Sequence, residues 1–321
     1  MEEISDGLWR ATFPLPWELD HVHAYLLEAE EGWVVVDTAL GSSEARELWS
    51  ALVAGLNGPV ARIVVTHFHP DHIGGAGYLA ELTGAPVYQG EIDHMTAKRV
   101  WGDAAWAARL SVWYQTHGIE ERLAEKVIDE AVELRDKVMW PEHPLIVEPG
   151  DRLNAAGEDW EFVPMAGHAD GQLVLFGTST GRMLAGDHVL TPITPNIGLH
   201  PESDGDPLGD YLESLDATIA LGPSVAFGGH RDPIPDTARR AAELKEHHAE
   251  RLAATVAAVG EGTLTAYEVS LRLFGTELST HGRRFAVAET LAHLARLELD
   301  DQVACIEDET QVRWCDPAAI E

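Results

Sequence analysis

Apolar and polar positions alternate along HVHAYLLEA (21–29), and GWVVVDTAL (32–40) is apolar almost throughout, so the two read as strands joined by the turn EEG. SSEARELWSALVAGLNG has the 3.6-residue period of a helix, with serine at its start and glycine at its end. ARIVVT is a short unbroken apolar run, which predicts a strand buried on both faces. It delivers the chain into HFHPDH (67–72). A helix over GAGYLAELTG, a strand over PVYQG and a long helical region over about 91–139 follow.

After Pro149 the pattern changes. DWEFVPMAG, QLVLFGT and GRMLAGDHVL predict three strands separated by turns. PLGDYLESLDATIAL predicts a helix, and SVAFGGH a short strand ending in histidine. A long helix is expected from Asp236 to about Val259. TAYEVSLRLF and FAVAETLAHLARLE then read as helices and QVACIEDETQVRWC as a hairpin, an order that suits a small winged-helix unit. The expected organisation is a first domain over 1–240, with the helical stretch as an insert, and a second over 241–321.

Charge narrows the function classes. Lys plus Arg number 22 against 54 Asp plus Glu, giving −32 over 321 residues. That balance opposes unaided binding to nucleic acid or to an anionic membrane. No window approaches the run of about 18 apolar residues that a membrane helix needs. The acidic start MEEISDGLWRATF does not resemble a secretory signal, so a cytoplasmic location is expected. Cys305 and Cys315 are then expected as reduced thiols of the terminal hairpin.

HFHPDH is costly to bury without a purpose. His67 and His69, two apart on extended chain, face the same side. Pro70 stops regular pairing, and Asp71 and His72 follow at the turn, with Gly74 and Gly75 allowing close backbone approach. One loop can thus offer His67 and His69 to one metal ion and Asp71 and His72 to another. His168 in MAGHADG, Asp187 in LAGDHV and His230 in FGGHRD each end a predicted strand and each follow a glycine. Together these residues suffice for two ions with one carboxylate between them. Imidazole and carboxylate donors suit zinc, iron, manganese or nickel.

In order and spacing, HFHPDH, GHADG, GDH and GGH resemble the ligand motifs of the metallo-β-lactamase-fold hydrolase superfamily. The resemblance covers about residues 1–240. The C-terminal elements resemble the winged-helix unit of a branch that includes glyoxalase II-like hydrolases and a group related to RNA endonucleases. It implies an α/β fold, a four-layered αββα sandwich, with His67, His69 and His168 at the first metal. Asp71, His72 and His230 then take the second, and Asp187 bridges. Two divalent ions are implied, zinc ahead of iron or manganese, with a bridging hydroxide positioned by Asp71 for attack on a small acyl substrate: thioester, lactone or other ester. Enzymes with β-lactamase activity commonly have cysteine at the second metal where this chain offers Asp187, which turns the expectation away from antibiotic hydrolysis.

Other features carry competing readings. GTSTG (177–181) matches G-x-S-x-G, but a strand follows where a nucleophile elbow needs a helix, so a hairpin turn is expected and Ser179 is no nucleophile. His188 reads as a support for Asp187, a substrate contact or a structural hydrogen bond. His21 and His23 are expected in packing or solvent, and His247 and His248 on a solvated helix face. Trp106, Leu110 and Trp113 form a stripe at helical spacing. With Trp101 and Tyr114 they read as core or dimer contact, or as a lid gripping an apolar acyl group. From 245 to 321 there are 7 basic and 14 acidic residues, with HGRRF the only basic spot, which opposes DNA binding. Phosphodiester or RNA cleavage, mononuclear iron dioxygenase chemistry and a non-enzymatic DNA-binding or scaffold role remain the rival readings. A homodimer through the helical stretch or the C-terminal unit is compatible with the pattern.

Overall fold

Two β-sheets share one apolar interior because several strands bury both of their faces. The computed structural model describes residues 1–203 and 205–320. It opens with the antiparallel strands β1 (Glu2–Ser5), β2 (Leu8–Pro14), β3 (His21–Ala29) and β4 (Gly32–Val36). Helix α1 (Ser43–Gly55) crosses to β5 (Val60–Val64), and α2 (Pro70–Ile73) and α3 (Ala76–Thr83) lead to β6 (Val87–Gly90). Helix α4 (Glu91–Ala97) passes through a π-helical turn at Lys98–Gly102 into α5 (Trp106–Thr116), then α6 (Glu121–Arg135) and β7 (Leu145–Val147). Strands β4 to β7 are parallel, and the seven-stranded sheet runs in chain order.

The second sheet holds β8 (Arg152–Ala155), β9 (Glu158–Pro164), β10 (Leu173–Gly177), β11 (Arg182–Gly186) and, after α7 (Pro207–Leu221), β12 (Val225–Gly228). Alternation along β3 shows how the layers form. Val22, Ala24 and Leu26 pack towards the helices that cover the first sheet, with Trp49 and Leu79. Tyr25 and Leu27 point between the sheets and meet Trp160, Phe162, Leu175 and Phe227. On the far side, Val174, Met183 and Ala185 pack under Tyr211 and Leu215 of α7 and Leu244 of the next helix. The result is the four-layered αββα sandwich. Helix α8 (Thr237–Val259) leads to β13 (Leu264–Thr265), α9 (Ala266–Phe274), α10 (Thr280–Leu299), β14 (Ala304–Glu307) and β15 (Val312–Cys315). The last strands pair in the order β13-β15-β14. Cys305 and Cys315 are free thiols on this pair. Among the described residues no helix is long and apolar enough to cross a membrane.

Some elements differ from the sequence pattern. Strands β1, β2, β7 and β8 lie outside the marked segments: β1, β7 and β8 are short edge strands, and β2 alternates between buried and exposed positions beside β1. In ARIVVT the residues from Ile63 to Thr66 are fully buried, while Ala61 and Arg62 reach partway to solvent where the strand starts at the sheet's rim. His248 is buried, not solvated, because α8 is wedged between α7 and α10, and its Nδ1 lies 3.1 Å from Nε2 of His293.

GTSTG is a hairpin turn, and Glu158 explains why it is rigid. Its carboxylate accepts hydrogen bonds from Ser179 N (3.1 Å), Thr180 N (3.0 Å) and Thr180 Oγ1 (2.7 Å), and pairs with Arg182 Nη2 at 2.6 Å. Burial alone would raise this carboxyl, but the donors from Arg182 and Thr180 outweigh it and hold it below the usual glutamate range. A depressed folded-state pKa stabilises the fold above the unfolded value of 4.5, and that contribution disappears as pH falls through the folded value. Glu158→Gln, which strands the buried Arg182, should lower unfolding free energy by about 3 kcal/mol at neutral pH. The gap from wild type should shrink below about pH 4.5 in urea titrations.

Candidate metal centre

Every residue of the centre follows the end of a strand at one edge of the sandwich. Beyond β5, Phe68 N donates to Oδ1 of buried Asp93 (2.9 Å), so the backbone between His67 and His69 is held from outside. Pro70 starts α2 at its first turn, which places Asp71 and His72 on one short helix. Asp187 directly follows β11, and His168 and His230 lie in the loops after β9 and β12. Gly229 keeps the space open: a Cβ there would sit 2.5 Å from both Asp187 Oδ1 and His72 Cε1.

The inward atoms form two groups. His69 Nδ1 lies 3.1 Å from His67 Nε2 and 2.8 Å from His168 Nε2. His230 Nε2 lies 3.3 Å from Asp71 Oδ2, and these with His72 make the second group. Asp187 spans both, with Oδ1 3.4 Å from His72 Nε2 and Oδ2 3.3 Å from His230 Nε2 and 3.7 Å from His168 Nε2. The outer ring nitrogens are tied. His72 Nδ1 donates to Asp37 Oδ2 (2.8 Å), His168 Nδ1 to the Asn196 carbonyl (2.9 Å) and His230 Nδ1 to the His21 carbonyl (2.7 Å). Each such bond leaves Nε2 as a lone pair aimed inward, the arrangement of metal-ligating histidine. His72 Nε2, His230 Nε2 and Asp187 Oδ1 are buried without a hydrogen-bond partner. Orphaned acceptors facing one small space fit divalent cations.

Electrostatics separate the groups. Burial, then the neighbouring imidazoles, holds His67 and His69 well below the usual histidine range. Burial also lowers His168. Burial opposes charge on His72 and His230 as well, but the carboxylates outweigh it: His72 stands well above its usual value and His230 is pushed up to about 10. Asp71 is held down to about 2 against the effect of burial, by His72 and His230. The second group therefore calls for positive charge, which a cation supplies in place of protons.

Above the ligands opens a cavity of about 590 Å³. His69, Asp71, His168, Asp187 and His230 line its floor, with Trp17, Phe68, Trp101, Trp106, Leu110 and Tyr114 among its walls. Trp106, Leu110 and Tyr114 are the buried stripe of α5, at a stride of four. Trp113 faces elsewhere, packing on Tyr114 and His117. His188 does not line the cavity. Its Nε2 lies 2.6 Å from Thr218 Oγ1 and its ring meets Tyr211, because the chain turns after Asp187 and carries it under α7. His23 packs between Thr12 and the Arg231 carbonyl.

Asp37 and Asn196 are supporting residues that the sequence reading missed. Asp37 receives Thr66 N and Thr66 Oγ1 (both 2.8 Å) as well as His72, so one carboxylate fixes the strand exit and a ligand. A signal existed, since Asp37 closes the apolar run WVVV much as His67 follows ARIVV. Nothing local marks Asn196.

Residues 17–230 match the family described as the Metallo-beta-lactamase superfamily, and 252–317 match the Metallo-beta-lactamase-like, C-terminal domain. A probable metallo-hydrolase YqjP of Bacillus subtilis (strain 168) is 25% identical over 303 residues, covering 90% of this chain and 92% of that protein. The metallo-beta-lactamase family protein TTHA1429 of Thermus thermophilus superposes with a TM-score of 0.87 at 36% identity, over 98% of this chain and all of that one. A beta-lactamase domain protein from Burkholderia ambifaria gives 0.88 at 27% identity, over 98% and 94%. If Asp37 orients His72, Asp37→Ala should weaken metal retention by about 10- to 100-fold, measured by chelator competition. Unchanged retention would make Asp37 a purely structural residue.

Proposed function

The chain belongs to the metallo-beta-lactamase superfamily, and we propose that it is a dinuclear metal-dependent hydrolase of small acyl compounds: thioesters, lactones or other esters. The observation that carries this reading is the Asp187 carboxylate, whose two oxygens reach ligands of both groups. His67, His69 and His168 would hold one ion, Asp71, His72 and His230 the other, with Asp187 between them. Zinc is expected ahead of iron or manganese, given imidazole donors supplemented by carboxylates. Bound dications supply a water acidified towards neutral pH and an electrophile that polarises the carbonyl.

The chain's own residues do the rest. Asp71 lies on the cavity floor with Oδ2 3.3 Å from His230 Nε2, where its carboxylate accepts a hydrogen bond from the attacking water and orients it. Trp106 and Tyr114 present apolar surface to the acyl portion and keep bulk water from the floor. We read residues 241–321 as a winged-helix unit that closes the cavity. His281, Arg284 and Phe285 of α10 stand in its wall, a placement that favours substrate closure over DNA binding.

Metal-loaded protein should turn over members of a thioester, lactone and aryl-ester panel, and silence across the panel contradicts the proposal. Trp106→Ala should raise KM for apolar acyl groups by about tenfold, with a smaller change in kcat.

A further inference from the structure

The cavity wall contains a cation that the proposed reaction does not use. Arg283 and Arg284, the basic pair of HGRRF, diverge by about 100° around α10, as consecutive helical residues do. Arg283 is buried and structural, donating to Ser270 Oγ (3.2 Å) and to the Gly275 carbonyl. Arg284 faces the cavity and is the only Lys or Arg among the described residues lining it. Its guanidinium carbon sits 5.1 Å from the centroid of Phe285, so an aromatic ring supports one face. Its Nε is buried with no hydrogen-bond partner, and among the described residues no carboxylate pairs with it.

The guanidinium is only half-buried, so its Nη groups hold water that a ligand carboxylate can replace, in a cavity whose wall also carries Glu18, Asp170 and Glu202. In a chain carrying −32 it is also against the prevailing charge, with 54 acidic side chains to draw a partner from. With Nε sealed, the two Nη groups are the open edge, and that end-on fork matches a carboxylate with two parallel hydrogen bonds. One guanidinium balances one negative charge, which favours a carboxylate over a phosphate monoester of nearly twice that charge. Nearby His200 and His281 do not supply a second cation, since burial and then Arg284 itself hold them down to about 3 and about 4.

We propose that Arg284 forms a carboxylate-binding subsite, so that the substrate is a small acyl compound bearing one carboxylate remote from the carbonyl under attack. This rests on reading the cavity as that of an acyl hydrolase. The subsite is supplied by α10, within the C-terminal match, while the metal ligands all come from residues 17–230.

The test is calorimetric titration of metal-loaded protein with hydrocinnamate and with its uncharged primary amide. Wild type should bind the acid at least about tenfold more tightly than the amide. Arg284→Gln should bring the two within about twofold by weakening the acid alone, the amide reporting that the cavity is intact. Arg284→Lys, which keeps the charge without the fork, should retain an intermediate preference. No preference in wild type, or full preference surviving in Arg284→Gln because the metal ions hold the carboxylate, overturns the subsite; so does a lysine variant that discriminates no better than glutamine. Because the titration needs no turnover, failure of the ester panel would defeat the reaction reading and leave this one to be decided by binding.

Discussion

Five imidazoles and two carboxylates share a space only a few ångströms across at one edge of the sandwich, and most of them are sealed from water. Burying such a set is unfavourable unless each donor atom has a partner. The outer nitrogens of His72, His168 and His230 have theirs in Asp37, the Asn196 carbonyl and the His21 carbonyl. Of the inner atoms, His72 Nε2, His230 Nε2 and Asp187 Oδ1 remain orphaned. Much of the fold's local detail follows from this requirement. Strands end where a ligand must turn inward, and Gly229 occurs where any side chain would enter the centre.

The supports come from widely separated places. Asp37 closes β4 and reaches Thr66 and His72, which ties two neighbouring parallel strands together at the ligand-bearing edge. Asn196 connects further still: its carbonyl receives His168, and its side-chain amide donates to Glu289 Oε2 (3.2 Å) on α10. The C-terminal elements are thereby linked to His168 as well as to the cavity wall, where Phe285 and His281 stand.

The cluster of candidate ligands was legible because its signals are local. Two histidines at strand period, a proline that halts pairing and a glycine before each later ligand can be read without knowing the fold. The strands of the middle layers were legible as apolar runs such as WVVV, but their stacking into a four-layered sandwich was implied only by the family resemblance. What escaped depends on distance along the chain. Asn196 meets His168 and Glu289 across long separations, and nothing in TPITPNIG marks it. The three-residue β7 and the four-residue β8 are too short for a period to show. His248 misled because Lys245, Glu246 and Glu250 suggest a solvated face, whereas packing against α7 and α10 decides its burial. Of the readings left open for His188, the structure shows the structural hydrogen bond, because the residue after Asp187 is turned beneath α7.

Metal content measured per chain tests the central claim most directly. Protein purified without added metal or chelator should carry about two divalent ions, falling towards one in His72→Ala, because that ring serves the second group while the His67, His69 and His168 triad stays whole. One ion per chain in the wild type, unchanged by losing His72, would contradict a dinuclear centre.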